Sequence, residues 1–430
     1  MKKYILIFMG LLVVSALIVT YIYYLHPRSS VCAISKSEGN EIVSYLKQNS
    51  SDINLDDDTF KSLTLLDSDA ENNTVFLSGE THAIAKNEAL QLYFLRYFNQ
   101  RHGVKYLLTE QGYAVSQLIN QYLSTGDESI LKDIYRQLEG TAAWNKEQYD
   151  FWIALRRYND TLPPERKITV VGIDIEHQPV TAFKYLYSLL PPDRAPEDIA
   201  ANIEELRKSY NNPAIRTLAV GLQKDNRNYA KEYQKYLGEK YFDFSFVVDN
   251  IVNRNKCYAS SDHFAKLREE CIRNNAVRIY KHFPAGKYYG EWGLEHTYLS
   301  DHGGQMAELD CLATFLNKKF APTKGRVISI AYFYSNCQQM TWGKDYGQEE
   351  YRDYVQDHLL NQVAEDNLCL LKFNGSNSPF TQKPYFVADA KGGATTDYYQ
   401  YGVLIKNSPA AHPFGKPDKQ SYPPVSDLKK

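Results

Sequence analysis

Short apolar runs alternate with stretches of helical spacing along the chain. Runs at 74–78, 104–109 and 168–173 have the length and composition of buried strands. Between the first two, apolar residues recur at the i, i+3, i+4, i+7 spacing of a helix, from Leu90 to Tyr97. This order predicts a βαβ unit, whose two strands we expect to be parallel and neighbouring, with a right-handed crossover.

The same alternation continues through the rest of the chain. Helical spacing covers residues 115–158, and residues 180–285 show helical spacing with little strand signal. Further apolar runs that predict strands lie at 287–292, 326–331 and 402–405. The pattern predicts an α/β fold with a mostly parallel sheet flanked by helices.

The pattern also suggests how the chain is divided. Residues 74–410 form the predicted α/β domain, in which 180–285 make a helical subdomain that covers the site. Residues 29–73 are interpreted as a spacer and lead-in to the domain, with 29–50 as a polar spacer. The proline-rich residues 411–430 predict an irregular tail.

The first 28 residues have the pattern of a membrane anchor. Lys2 and Lys3 precede an uncharged run over residues 4–25, which is long enough as a helix to span a hydrocarbon core of ~30 Å. The positive residues are expected to stay inside, so the rest of the chain is translocated. We expect a single-pass protein, anchored by residues 1–28, with its domain on the periplasmic or extracellular side. A cleaved signal peptide is the alternative.

Composition and charge limit the kinds of partner that the protein can bind. The net charge of −2 and the lack of a basic stretch argue against a nucleic-acid partner. Six cysteines without a CxxC motif could form disulfides in an exported chain, but they permit 15 pairings. They fit equally well as small buried hydrophobic residues.

Ionisable residues follow three predicted strands. In an open parallel sheet, ligands bind beyond the carboxyl ends of the strands, so these residues are expected to meet at one edge. The residues are Glu80 and His82 after the first strand, Glu110 after the second, and Asp174, Glu176 and His177 after the third.

This grouping suggests acid–base chemistry. Glu80 and His82 are two positions apart, so in extended chain their side chains point the same way. A carboxylate beside an imidazole orients it and keeps it basic, which makes His82 a candidate for activating water. The alternatives are structural: Glu110 could stabilise a helix N-terminus, and Asp174 could be a simple N-cap.

Several colinear motifs resemble those of the erythromycin esterase-like hydrolases. The opening motif, Gly79 to His82, is followed by a helix and a second strand that ends in Glu110. Later motifs resemble the family's tryptophan helix, third strand, Arg-Glu-Glu helix, second histidine segment and last strand. They lie at 152–159, 170–174, 268–275, 292–296 and 398–405.

The resemblance implies a hydrolase whose catalytic set is Glu80, His82, Glu110 and His296, with His82 as the water-activating base. It implies a small-molecule substrate with an ester or related bond, and no cofactor. Asp174, Glu176, His177, Gln91 and Glu295 are candidate supporting residues. Gln91 stands where macrolide-hydrolysing members carry an arginine, and Leu294-Glu295 replaces the family's usual residues before the second histidine.

Two other functions fit the same residues. The short Gly-Glu-Thr-His motif is similar to that of the related ChaN/Tiki-like proteins, which bind haem or metal ions or act as metalloproteases. The same four residues could then ligate a divalent cation. The third interpretation is a non-catalytic binding module that keeps the fold.

Overall fold

A central eight-stranded sheet organises the part of the chain that the structure describes. The computed structural model describes residues 31–212, 217–303, 310–343, 346–351 and 357–415. Within these residues the strands are, in chain order, β1 (Ser50–Asp52), β2 (Val75–Glu80), β3 (Val104–Gly112), β4 (Thr169–Asp174), β5 (Lys287–Gly293), β6 (Val327–Ser335), β7 (Cys337–Met340), β8 (Gln348–Tyr351), β9 (Leu368–Lys372) and β10 (Tyr401–Lys406).

The large sheet has the order β1-β9-β10-β6-β2-β5-β3-β4. Neighbouring strands from β10 to β4 are parallel, whereas β9 runs antiparallel to both of its neighbours. Strands β7 and β8 form a separate antiparallel pair. The predicted α/β class with a mostly parallel sheet is therefore confirmed.

One detail of the predicted βαβ unit is wrong. Strands β2 and β3 are parallel, as expected, but they are not neighbours, because β5 lies between them and pairs with both. Tyr289 and Trp292 of β5 are fully buried there. A local pattern fixes the direction of a crossover but not whether a later strand enters between its two strands.

Helices surround the sheet. In chain order they are α1 (Lys36–Gln48), α2 (Asp67–Asn72), α3 (Lys86–His102), α4 (Tyr113–Thr125), α5 (Glu128–Arg136), α6 (Lys146–Asp160), α7 (Pro179–Leu189), α8 (Glu197–Ser209), α9 (Leu218–Asn228), α10 (Ala230–Leu237), α11 (Tyr241–Ala259), α12 (Phe264–His282), α13 (Leu312–Thr314) and α14 (Asp357–Leu360). Helix α3 ends at Gly103, whose φ of 73° is the left-handed conformation of a helix C-cap.

The sheet is buried on both faces. In β2, Val75 and Leu77 pack into one hydrophobic cluster and Phe76 packs into another. In β4, Val171 packs into the first of these clusters and Val170 packs into the second. Alternate side chains of a strand point to opposite faces, so two-sided burial explains why these strands are continuous apolar runs.

The interpretation of residues 29–50 as a polar spacer is wrong for most of that segment. Ser35 and Glu38 form a capping box that begins α1, and α1 buries Ile42 and Leu46. The following strand β1 then joins the edge of the large sheet through β9. The Ser-x-x-Glu capping signature and the apolar pair at i and i+4 are enough to form a helix here, although the composition of the segment is polar.

The predicted anchor lies outside the described residues. Among the residues that are described, no helix is both long and apolar enough to cross a membrane.

Candidate active site

A histidine–carboxylate pair lies at the carboxyl end of β2. Glu80 is the last residue of the strand and is buried, and its Oε1 contacts His82 Nδ1. Glu80 Oε2 accepts a hydrogen bond of 2.6 Å from the Asn87 side chain of α3. The His82 side chain is 45% exposed, and its Nε2 has no protein partner within the described residues. One nitrogen is therefore held by the carboxylate and the other is accessible.

The carboxylate also sets the charge state of the imidazole. The negative charge of Glu80 raises the pKa of His82 above its ordinary value, and this effect outweighs desolvation. Because His82 is nearly half exposed, solvent reduces the size of this shift.

The backbone after His82 is fixed in an unusual conformation. Ala83 has a φ of 66°, in the left-handed region that non-glycine residues seldom adopt. Its carbonyl accepts hydrogen bonds of 3.0 Å from the N–H groups of both Met340 and Ala411. The Gln339 side chain donates to the carbonyl of His82 at 2.8 Å. Contacts from distant parts of the chain thus hold the loop in place.

Glu110 and His296 lie together near the ends of the adjacent strands β3 and β5. Glu110 Oε1 is 3.3 Å from His296 Nε2 and accepts a 2.5 Å hydrogen bond from Arg268. Glu110 Oε2 accepts from the Gly293 N–H at 2.9 Å. Burial disfavours the ionised carboxyl, but the charges of His296 and Arg268 outweigh it and hold the pKa of Glu110 well below its ordinary value.

The histidine–carboxylate pair and this second group meet beside Gly293. A Cβ built on Gly293 would lie 3.5 Å from His82 Cε1, 3.6 Å from Glu110 Oε2 and 3.6 Å from His296 Cδ2. The structure therefore brings together Glu80, His82, Glu110 and His296, the four residues that the resemblance implies. Strand β5 carries Gly293 between β2 and β3, so its insertion positions the site.

A second carboxylate, Glu269, flanks His296 on its other side. Glu269 is almost fully buried, and its Oε1 contacts His296 Nδ1. Burial disfavours the charged imidazole, but the carboxylates of Glu269 and Glu110 outweigh it and raise the pKa of His296 above its ordinary value. His296 thus lies between two carboxylates, which favour its protonated form.

Arg268 links the site to the end of β4. Its Nη2 is 2.5 Å from both Glu110 Oε1 and Asp174 Oδ2, and its Nε is 3.1 Å from both oxygens of Asp174. Asp174 is fully buried and also contacts His177 Nε2 at 3.1 Å. The His177 Nδ1 hydrogen-bonds to the Tyr258 hydroxyl at 2.8 Å. Asp174 and His177 therefore support the site through Arg268.

Glu176 serves a different purpose. It is fully buried, and its Oε1 accepts a 3.1 Å hydrogen bond from the Ala114 N–H, in the first turn of α4, and a 3.3 Å bond from Asn250. Burial raises the pKa of Glu176 to about 7. Within the described residues, Glu176 makes no hydrogen bond or ion pair with Glu80, His82 or Glu110, and its own hydrogen bonds connect the end of β4 to α4 and α11.

Two other candidate supporting residues lie beside the four-residue group rather than in it. Gln91 is buried on α3 and makes no hydrogen bond to the site within the described residues. Glu295 lies in the 3₁₀ turn Leu294–His296 and is exposed. Three side chains that contact the site were not predicted as site residues from the sequence: Asn87, Arg268 and Glu269. Arg268 and Glu269 belong to the Arg-Glu-Glu motif, whose signal in the sequence is its resemblance to the helix of the esterase-like family.

The donor groups do not fit a bound metal ion. Within the described residues, no group of three or more His, Cys, Asp or Glu side chains is arranged to hold one. Both oxygens of Glu80 and of Glu110 already have partners, and one partner of Glu110 is the permanently charged Arg268. A cation at Glu110 would be repelled by the guanidinium of Arg268, 2.5 Å from Glu110 Oε1.

Comparison with known proteins identifies the type of fold. No family model and no curated protein sequence matches the chain. Among solved structures, a succinoglycan biosynthesis protein superposes with a TM-score of 0.66 and 15% identity, over 88% of this chain and 99% of its own. A Bacillus cereus protein superposes with a TM-score of 0.65 and 14% identity, over 87% and 99%.

The predicted relationship to erythromycin esterases is confirmed at the level of the fold. A mutant of the erythromycin esterase EreC in its open conformation superposes with a TM-score of 0.61 and 13% identity, over 86% of this chain and 99% of its own. The haem-binding ChaN of Campylobacter jejuni superposes poorly, with a TM-score of 0.30 and 12% identity.

Proposed function

We propose that the protein is a hydrolase that uses His82 to activate water against an ester or related bond of a small molecule. The observation that carries the proposal is the accessible Nε2 of an imidazole whose Nδ1 is held by Glu80. This is the arrangement that a general base needs, because the carboxylate fixes the tautomer and stabilises the imidazolium that forms.

The proposed reaction begins with water beside Gly293. His82 Nε2 takes one proton from the water, whose oxygen attacks the acyl carbon of the substrate. Glu110, kept ionised by Arg268 and His296, accepts a hydrogen bond from the remaining O–H and orients the water. The bond to the leaving oxygen then breaks, and the imidazolium of His82 returns its proton to that oxygen. No step requires a metal ion.

The central test removes the base. In the protein without residues 1–28, we expect His82→Ala to lower the rate of ester hydrolysis by roughly 10²–10⁴, about 3–5 kcal/mol of barrier, with little change in thermal stability. His412→Ala is the matched control, because His412 also pairs with a glutamate, Glu147, but is exposed. The control should keep full activity.

Metal analysis separates this proposal from the metal-dependent alternative. A panel of esters is assayed with and without chelator, and the dialysed protein is analysed for bound metal. We expect equal rates in both conditions and no stoichiometric metal. Metal that survives dialysis, and is lost in His82→Ala, would overturn the proposed mechanism.

We also propose that residues 1–28 anchor the protein in a membrane, with the domain on the outer side. The support is the uncharged run over residues 4–25 after Lys2 and Lys3. The expected mature protein keeps its original N-terminus and stays with membranes after an alkaline carbonate wash. A soluble exported form that begins near residue 29 would instead indicate a cleaved signal.

A further inference from the structure

A polar recess adjoins the site on the face of the sheet that α3 covers. Glu291 of β5 pairs with Ser78 of β2, next to the pair formed by Gly293 and Glu80. Residues two apart on a strand share a face, so Glu291 lies about 7 Å from Gly293 on the same side of the sheet. The side chain of Glu291 crosses over the small Ser78, and its Oε2 accepts a 2.8 Å hydrogen bond from the Tyr332 hydroxyl of β6.

Helix α3 places a second polar side chain opposite Glu291. Asn87 of α3 donates to Glu80, and seven residues later the Phe94 ring packs on the Tyr289 ring, with centroids 6.5 Å apart. Glu80 and Tyr289 lie on either side of Glu291 along the paired strands, so the helix residue between the two contacts faces Glu291. The residues on this face of the helix, at i, i+4 and i+7, are Asn87, Gln91 and Phe94.

Both side chains keep unused hydrogen-bonding groups. Gln91 is only 9% exposed, and its side-chain amide has no hydrogen-bond partner within the described residues. Glu291 is partly exposed, and its Oε1 likewise has no partner in that part of the chain. Because polar groups that are buried without a partner lower stability, such groups usually bind a ligand or an ordered water. The recess therefore offers binding groups to a molecule that enters beside Gly293.

The charge state of Glu291 limits what these groups recognise. Burial and the negative charge of Glu80 raise the pKa of Glu291 well above its ordinary value, which favours the protonated carboxyl. A protonated carboxyl and a carboxamide each donate and accept hydrogen bonds, as a hydroxyl group does. An ammonium group only donates and would leave the N–H donors of Gln91 unpaired, and an anionic group would be repelled by Glu80.

We propose that Gln91 and Glu291 bind hydroxyl groups of the substrate, so that the ester that is cleaved belongs to a polyol or a sugar. This inference deepens the proposed hydrolase function and rests on it for the ester bond. Water attacks beside Gly293, and the carbons that carry the hydroxyl groups occupy the recess about 7 Å away. The recess thus selects among esters by the groups that lie a few bonds from the scissile bond.

Matched esters test the inference on the purified full-length protein. Methyl 6-O-acetyl-β-D-glucopyranoside is compared with cyclohexylmethyl acetate, and glycerol monoacetate with propyl acetate; the first ester of each pair carries hydroxyl groups that the second lacks. We expect kcat/KM to be roughly tenfold higher for the hydroxylated ester in at least one pair, because one net hydrogen bond contributes up to about that factor. Equal kcat/KM values within both pairs would overturn the proposal.

Variants assign the preference to the recess. Gln91→Leu and Glu291→Leu each remove hydrogen-bonding groups, so we expect either change to lower the kcat/KM ratio of the pair toward one. Glu291→Gln should keep the ratio, because an amide still donates and accepts. Gln100→Leu makes the same change at an exposed position of α3 and is the control that should keep the ratio. A ratio that survives in both recess leucine variants would overturn the proposal, and the ester comparison on the unmodified protein stands even if a variant fails to fold.

An amine-bearing ester tests the cationic alternative. In 2-(dimethylamino)ethyl acetate an ammonium group takes the place of the hydroxyl groups. We expect no preference for this ester over propyl acetate. A preference that Glu291→Gln abolishes would overturn the proposal and indicate a cationic substrate.

Binding measurements separate the recess from the hydrolysis. Saturation-transfer NMR with methyl β-D-glucopyranoside and with glycerol should detect binding that Gln91→Leu weakens. Binding without hydrolysis of any ester would contradict the proposed function and support the recess. Hydrolysis of both esters of each pair without preference would contradict the recess and support the proposed function. The lack of both binding and hydrolysis would overturn both.

Discussion

Replacing Arg268 with methionine tests the electrostatic design of the site without any substrate. Arg268→Met keeps much of the side-chain volume but removes the charge shared by Glu110 and Asp174. Asp174 is fully buried and Glu110 is only 15% exposed, so both carboxylates lose a charged partner where little solvent can replace it. His177 and His296 remain in contact with them.

Breaking a buried ion pair by removing one partner costs about 3–5 kcal/mol. The two histidines still compensate part of the charge, so we expect the lower end, a loss of about 3 kcal/mol in the free energy of unfolding at pH 7. Arg278→Met on the same helix is the control. Arg278 pairs with Asp249 at 3.1 Å, but both side chains are about a third exposed, and Arg278 also stacks on Phe246. We expect that variant to lose about 1 kcal/mol.

The pH dependence of the loss gives a sharper test. In the unmodified protein the pKa of Glu110 is depressed, so its contribution is present above its unfolded pKa and is lost as pH falls through the folded pKa. Without Arg268, burial raises the pKa values of Glu110 and Asp174, and both carboxyls take up protons earlier as pH falls. The stability difference between Arg268→Met and the unmodified protein should therefore shrink between pH 7 and pH 5.

Urea unfolding, followed by circular dichroism at both pH values, measures these differences. A loss no larger than that of Arg278→Met, or a loss that is equal at pH 7 and pH 5, would refute this account. Either result would mean that Arg268 does not compensate buried charge.

Two further predictions rest on the other titrating groups. Because the charge of Glu80 raises the pKa of His82, we expect Glu80→Gln to move the titration of His82 to lower pH, as measured by NMR. An unchanged midpoint would contradict the contact between Glu80 and His82. Glu176 binds its proton more tightly in the folded state, with a pKa of about 7 against an ordinary 4.5, so it destabilises the fold as pH rises through this range. Glu176→Gln should therefore stabilise the protein by up to about 3 kcal/mol at pH 8 and leave its stability unchanged at pH 4. Urea unfolding at the two pH values measures this, and equal effects at both would argue against a buried, titrating carboxyl.

Much of the fold could be predicted from local pattern. Buried strands such as β2 and β4 are continuous apolar runs because both of their faces are covered, and this is visible without the structure. The insertion of β5 was not predictable, because strand order depends on packing between segments distant in sequence. Helix α1 was missed because its apolar residues are few, although the capping signature of Ser35 and Glu38 was present.

The part of the candidate site that lies at the ends of strands could be predicted from the sequence. Glu80, His82 and Glu110 converge because parallel strands deliver their carboxyl ends to one edge. Arg268 and Glu269 reach the site from a helix, where a charged face looks like ordinary solvated surface in the sequence. Their burial against Asp174 and His296 depends on tertiary packing, which the local sequence does not indicate.

The hydrogen bonds that hold the loop after His82 determine when the site can be completed during synthesis. The carbonyl of Ala83 and the N–H of Ala85 are bonded by Ala411 and Pro409, which follow the last strand of the sheet. A nascent chain that already contains all four site residues still lacks these partners. Ala83 is strained without them, so we expect His82 to reach its final position only after residue 411 has left the ribosome, as the last step of folding.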